Sequence, residues 1–218
     1  MSTPITLYTH PMSRGRMARW MLEECAADYE VQVLQYGTSM KDAAYTTLNP
    51  MGKVPTIRHG NTVVTEAAAI CAYLADQFPA RKLAPPANSP ERGTYYRWLF
   101  FGAGPVEAAV TAKALGLLAP EDKRVTAGYG TYDDVMNTLE FAARHALSRG
   151  GFLCGDFSAA DLYLAAQLHW GMQFNIIEKR PLFTQYAQPI VERPACVKAN
   201  ALDDQLAEQL KTKGGGQG

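Results

Sequence analysis

At 218 residues the chain is long enough for one large domain or two small ones, and well above the size at which a core is hard to build. Lys plus Arg and Asp plus Glu both number 21, so the formal charge is zero, and no block of like charges marks a nucleic-acid footprint or a membrane-binding tail. Apolar runs stop well short of the roughly 20 residues a membrane helix needs, with Gln167, His169 and Gln173 interrupting even the late aromatic-rich segment, so the reading is a soluble chain with small-molecule or protein partners.

Met1 to Leu7 leads straight into a strand-like segment, without the basic flank and apolar run of a signal peptide, which predicts a cytoplasmic location. Residues Ile5 to Tyr8 read as a short buried strand and Tyr29 to Leu34 as a second, Val31 and Val33 alternating with polar neighbours. Between them Arg14 to Ala26 is helical, because Met17, Trp20, Met21 and Leu22 recur at three- and four-residue spacing on one face. A polar connection over 37–47 precedes Val54 to Ile57, the turn residues His59, Gly60 and Asn61, and Thr62 to Val64, which together predict a hairpin. Glu66 to Phe78 is an Ala-rich helix with Ile70, Tyr73 and Leu74 on its packed face, ended by Pro79. The predicted order is β-α-β followed by β-β-α.

Pro85, Pro86 and Asn88 fall in an aperiodic stretch that marks a linker. Beyond it, helical patterns run over 90–118, 120–148, 158–171 and 181–192, with a shorter one after Pro194. The expected organisation is an α/β domain over 1–79, a linker over 80–88, an all-α domain over 89–213 and a Gly-rich disordered tail over 214–218. Four cysteines (Cys25, Cys71, Cys154, Cys196) stand singly and the four histidines form no cluster, which fits a reducing compartment and predicts no metal site. In the stretch 155–162, Ser158 and Asp161 stand at N-cap and N3 with Phe157 and Leu162 as a hydrophobic staple, a capping box that serves folding.

The stretch most informative about chemistry is Asn49-Pro50-Met51-Gly52-Lys53-Val54-Pro55-Thr56-Ile57, followed after the hairpin by Thr65-Glu66-Ala67-Ala68-Ala69-Ile70. Proline cannot donate to a sheet ladder, so Pro55 at the start of an apolar strand is odd unless its neighbours' backbone is needed elsewhere. A cis Val54-Pro55 bond leaves the amide and carbonyl of Val54 at the sheet edge, where an extended peptide can pair with them as an added strand.

These residues resemble the N-terminal domain of cytosolic glutathione transferases, in which N-P-x-G-K-V-P and a following E-S-x-A-I form most of the glutathione site. The resemblance extends over the linker and the helical half and is closest to bacterial-type members. It implies a thioredoxin-like domain with a mixed four-stranded sheet in front of an all-α domain. It also implies glutathione as co-substrate with no metal, a small hydrophobic electrophile as second substrate, a symmetric homodimer and a role in detoxification. By that resemblance Val54 pairs with the cysteinyl backbone of glutathione, Pro55 is cis, Lys53 meets the glycine carboxylate, and Glu66 with Ala67 holds the γ-glutamyl end. The family usually has Ser after this Glu, so Ala67 supplies a backbone donor without the hydroxyl, and one hydrogen bond worth ~1.5–3 kcal/mol is missing or replaced.

A free thiol titrates near ~8.5, and lowering it by about two units takes roughly 2.7 kcal/mol of differential stabilisation. A hydroxyl donor together with a helix N-terminus can supply that. In Tyr8-Thr9-His10-Pro11-Met12-Ser13-Arg14, Ser13 stands where both converge and Arg14 adds positive charge. Serine-type transferases place a catalytic Ser in this loop, whereas tyrosine-type members carry a Tyr at the end of the first strand, which makes Tyr8 the rival. Ser13 also serves as a plain helix cap. Among the aromatic residues of the helical half, Trp98 or Phe101 is the expected contact to the electrophile, the rest being core.

Rival activities on the same site are thiol-disulfide or peroxide reduction, dehalogenation and isomerisation. The loop lacks the Cys of a redox-active member, which disfavours thiol exchange. A non-catalytic binding protein that kept the fold is the remaining alternative.

Overall fold

The structure is a computed structural model that describes residues 3–214; of the expected tail, Gly214 closes the last helix and 215–218 lie outside the described residues. The first elements are β1 (Ile5–Thr9), α1 (Gly15–Cys25), β2 (Tyr29–Val33), α2 (Ala43–Thr46), β3 (Thr56–His59), β4 (Thr62–Thr65) and α3 (Ala67–Gln77). They form one mixed sheet in the order β2-β1-β3-β4, with β1 parallel to β2 and antiparallel to β3, and β3 antiparallel to β4. This is the β-α-β then β-β-α order that the patterning predicts, in the thioredoxin-like arrangement that the resemblance implies. Leu7 and Ile57 pair across the sheet and are fully buried, and α1 and α3 cover them with Met17, Met21, Leu22, Ile70 and Leu74. A Cβ at Gly15 would stand 1.9 Å from Thr9 Oγ1, so only glycine lets α1 begin hard against the end of β1.

The helical region contains α4 (Glu91–Phe101), a π-helical turn over Gly102–Val106, α5 (Glu107–Ala114), α6 (Tyr132–Leu147), α7 (Ala159–Gln173) and α8 (Pro181–Val191). Pro105, which has no amide to donate, falls inside the π turn, the type of distortion that absorbs such a gap. The long helix expected from residue 120 begins only at Tyr132. Gly130 adopts φ 70°, and Thr131 caps α6 by accepting the Asp134 amide at 3.0 Å while the Asp134 carboxylate accepts the Thr131 amide at 3.1 Å. Among the described residues no helix is long and apolar enough to cross a membrane.

By contacts the chain divides into two units, one running to Arg81 and resuming at Arg193, the other spanning Lys82–Glu192. The last helix, α9 (Pro194–Gly214), which the patterning groups with the helical half, packs on α1. Ion pairs span this docking. Arg193 forks onto Glu24 at 2.7 and 2.8 Å, Lys198 meets Glu23 at 2.7 Å, and Arg19 Nε lies 3.0 Å from Asp203 Oδ1. Asp203 is wholly buried and its carboxyl is pushed up to about 6 by that burial, against the pull of Arg19; the pair is close but poorly aligned, no donor among the described residues being well directed at either oxygen.

Candidate functional site

Register brings the predicted residues to one end of the sheet. Tyr8 pairs with Thr56 and Thr56 with Thr65, so the residues just before β3, just after β4 and just beyond β1 share that end. These are Val54-Pro55, Glu66-Ala67 and the loop from His10 to Arg14.

The Val54-Pro55 bond is cis. Among the described residues, none hydrogen-bonds the backbone amide or carbonyl of Val54. The preceding turn is fixed from beneath by a buried polar cluster in which the Lys53 carbonyl accepts from Tyr45 Oη at 2.5 Å and from Asn49 Nδ2 at 2.8 Å. Thr56 Oγ1 bonds the same two side chains at 2.8 and 3.3 Å, and the Asn49 side-chain oxygen accepts the Met51 amide at 3.1 Å. Tyr45 and Asn49 therefore aim the turn. Asn49 stands inside the quoted motif, but nothing in its spacing to Tyr45 shows that the two meet under Lys53. Lys41 is a further cation at this turn, its ammonium donating to the Met51 carbonyl at 2.8 Å, while the Lys53 side chain is exposed.

Glu66 is the N-cap residue of α3 with φ 65° and ψ 118°, a left-handed conformation costly for any residue with a Cβ, and its carboxylate is exposed. The strained residue is therefore the predicted ligand-binding one. The Glu66 side chain does not cap α3, which leaves the positive end of the helix to the amides from Ala67 onward.

Ser13 is half-buried in the loop before α1. Its hydroxyl donates to the His10 carbonyl at 2.6 Å and accepts the Gly15 amide at 3.0 Å, which caps the helix. His10 Nδ1 accepts the Met12 amide at 3.1 Å, which needs the neutral ring, and burial lowers the His10 pKa accordingly. Tyr36, which no motif singles out, donates its phenol proton to the Met12 carbonyl at 3.0 Å and sets its ring 4.7 Å from His10. Tyr8 packs its ring against Tyr45 at 5.6 Å as a sheet-face aromatic. Arg14 is exposed beside Ser13. Along this loop runs an open cleft of about 900 Å³, walled by His10, Pro11 and Met12 on one side and by Ala207 and Leu210 of α9 on the other. Of the aromatic candidates for the second substrate, Trp98 is core at 1% exposure and Phe101 is half-buried.

The family model described as the glutathione S-transferase N-terminal domain matches residues 12–77. Over 153 residues the chain is 30% identical to the glutathione S-transferase GstA of Escherichia coli O157:H7, an overlap covering 69% of this chain and 73% of that protein. A glutathione transferase from Methylococcus capsulatus superposes with a TM-score of 0.75 at 27% identity, covering 92% of this chain and 99% of that one. A sphingomonad glutathione S-transferase solved in complex with glutathione superposes at 0.69, also at 27% identity, covering 91% and 98% of the two chains.

Proposed function

The chain belongs to the glutathione S-transferase family, and from that premise we propose that it joins the glutathione thiolate to small apolar electrophiles. The observation that carries the reading is the Val54 backbone, which no described residue hydrogen-bonds, beside the strained Glu66 at one sheet end. Glutathione is an extended tripeptide with two carboxylates, one ammonium and a thiol. Its cysteinyl backbone adds to Val54 as a short strand, the γ-glutamyl carboxylate takes amides at the open end of α3, and Glu66 receives the ammonium. Lys53, with Lys41 nearby, supplies positive charge for the glycine carboxylate, and Pro55 holds the turn. Ala67 offers its amide alone. The thiol then lies toward the His10 to Arg14 loop, where the Ser13 hydroxyl and the start of α1 favour its ionised form. The thiol proton leaves to solvent, the sulfur forms a bond to the electrophilic carbon, and the leaving group departs with its electron pair. The cleft beside Met12 supports an apolar second substrate, because Met12 is 62% exposed there in a protein that buries most of its methionines.

Glu66→Gln tests the binding half of this reading. The partner of the carboxylate is the ligand's ammonium rather than a reacting atom, so glutathione affinity is expected to fall by ~1.5–3 kcal/mol while turnover at saturation changes little. Isothermal calorimetry on the folded variant reads the difference, and unchanged affinity would reduce Glu66 to an ordinary helix-start residue.

The proposal extends to a homodimer formed by the exposed aromatic face of α4 and α6. Tyr96, Phe100 and Phe141 lie open there, Phe100 at 70% exposure, and the Arg97 guanidinium covers the Phe141 ring at 5.8 Å. Aromatic and Arg side chains dominate interface cores. Sedimentation equilibrium is expected to give twice the chain mass for the protein and a shift toward monomer for Phe100→Glu; a monomeric wild type would end this part.

A further inference from the structure

Two hydroxyls converge on one short stretch of backbone. Ser13 gives its proton to the carbonyl of His10, and Tyr36, reaching over from the connection after β2, gives its own to the carbonyl of Met12. The His10 ring locks the arrangement by packing at a tilt against Tyr36, 4.7 Å between ring centres, and accepting the Met12 amide.

Ser13 has a single proton, and in this geometry it is engaged at 2.6 Å while its oxygen is taken up by the Gly15 amide. A single hydroxyl shared in this way leaves room for a second donor at the same sulfur. Tyr36 offers one. Burial raises its pKa from the ordinary 10 against the opposing pull of Ser13 and Arg14, so the phenol keeps its proton throughout the range in which the thiol titrates. In that state it is a donor.

We propose that Tyr36 is a second hydroxyl donor to the glutathione thiolate, paired with Ser13 across the His10 to Met12 backbone. The proposal rests on the reading of this loop as the thiol site. Engaging the sulfur requires only that each O–H turn away from its carbonyl; no covalent bond forms or breaks, and the thiol proton is released to solvent on ionisation.

Tyr36→Phe tests it, since the ring remains against His10 and only the hydroxyl is lost from an exposed side chain. Ultraviolet absorbance of the bound thiolate, followed against pH, is expected to show the apparent thiol pKa rising by about one unit, a roughly tenfold loss of thiolate well below that pKa. Glutathione affinity by calorimetry is expected to stay within about twofold, because the hydroxyl touches only the sulfur. An unmoved thiol pKa overturns the proposal. So does an unmoved pKa with affinity and melting temperature falling together, which makes Tyr36 a brace for the loop. The double variant with Ser13→Ala is expected to raise the pKa beyond either single change, and no further rise also counts against a second donor. Absence of thiolate absorbance or of glutathione binding in the unaltered protein would overturn the functional reading itself, and this proposal with it.

Discussion

Replacing Asp161 by alanine is expected to cost about 3–5 kcal/mol of stability, because it strands four donors at once. The carboxylate is wholly buried and accepts from the Leu153 amide at 2.8 Å, the Ser158 amide at 3.0 Å, Ser158 Oγ at 2.8 Å and Tyr186 Oη at 3.1 Å. It thereby holds together the start of α7, the loop before it and α8. For a chain of this size the loss corresponds to a melting temperature lower by roughly 10 °C or more. The pH dependence supplies a second readout. Burial lifts the Asp161 carboxyl from 3.8 to about 6 despite the bonds from Leu153, Ser158 and Tyr186. A folded pKa above the unfolded one means that the folded state holds the proton longer. The contribution of this group is thus fullest below about pH 4 and is lost as pH rises through about 6. Asp203 has the same sign and window. Thermal denaturation of Asp161→Ala is therefore expected to retain the part of that slope due to Asp203 and lose the rest. A melting temperature within a degree or two of wild type would show that the four donors find other partners.

Ser13→Ala is expected to raise the pKa of the bound thiol by about one unit toward its free value of ~8.5, lowering turnover near pH 6.5 by roughly fivefold. Glutathione affinity is expected to change little, since the proposed anchors are Val54, Glu66, Lys53 and the start of α3. Losing the cap on the Gly15 amide adds a stability cost of about 1 kcal/mol, too small to unfold the protein and separable from the chemistry by its melting curve. The measurement is the pH profile of turnover on an aromatic halide, run beside Tyr8→Phe. If Tyr8→Phe removes the thiolate and Ser13→Ala leaves it, the enzyme is tyrosine-type and Ser13 is a cap. If Ser13→Ala and Tyr8→Phe both leave it, the donor is a backbone amide between Met12 and Arg14 or the Tyr36 phenol.

The α/β part of the first unit was legible in the sequence because its signals are local. Strand alternation, the spacing of Met17, Met21 and Leu22 along α1, the Gly60-Asn61 turn and the proline opening β3 each need only a few neighbouring residues, and each corresponds to an element of the sheet. What escaped depends on long separations or on backbone geometry. Tyr36 meets Met12 across 24 positions, with no periodicity to advertise it. The left-handed conformation of Glu66 cannot be read from a residue type that ordinarily avoids it. Tyr45 and Asn49 look like a core aromatic and a turn former, and only the fold directs both at the Lys53 carbonyl. In the helical region, apolar spacing alone carried the reading past Gly130, where capping by Thr131 restarts the helix.

The docking of α9 on α1 bears on the order in which a ribosome can complete this protein. Synthesis delivers the sheet and its two helices first, yet Arg19 then lacks the carboxylate it is buried against, and Glu24 lacks its Arg193 fork. Those partners are made only after Lys82–Glu192. The second unit, Lys82–Glu192, is contiguous and has all of its residues while α9 is still being made. Domains usually mature N-terminal first, yet here the unit built on the sheet gains its last ion-pair partners only after every residue of Lys82–Glu192 has been made.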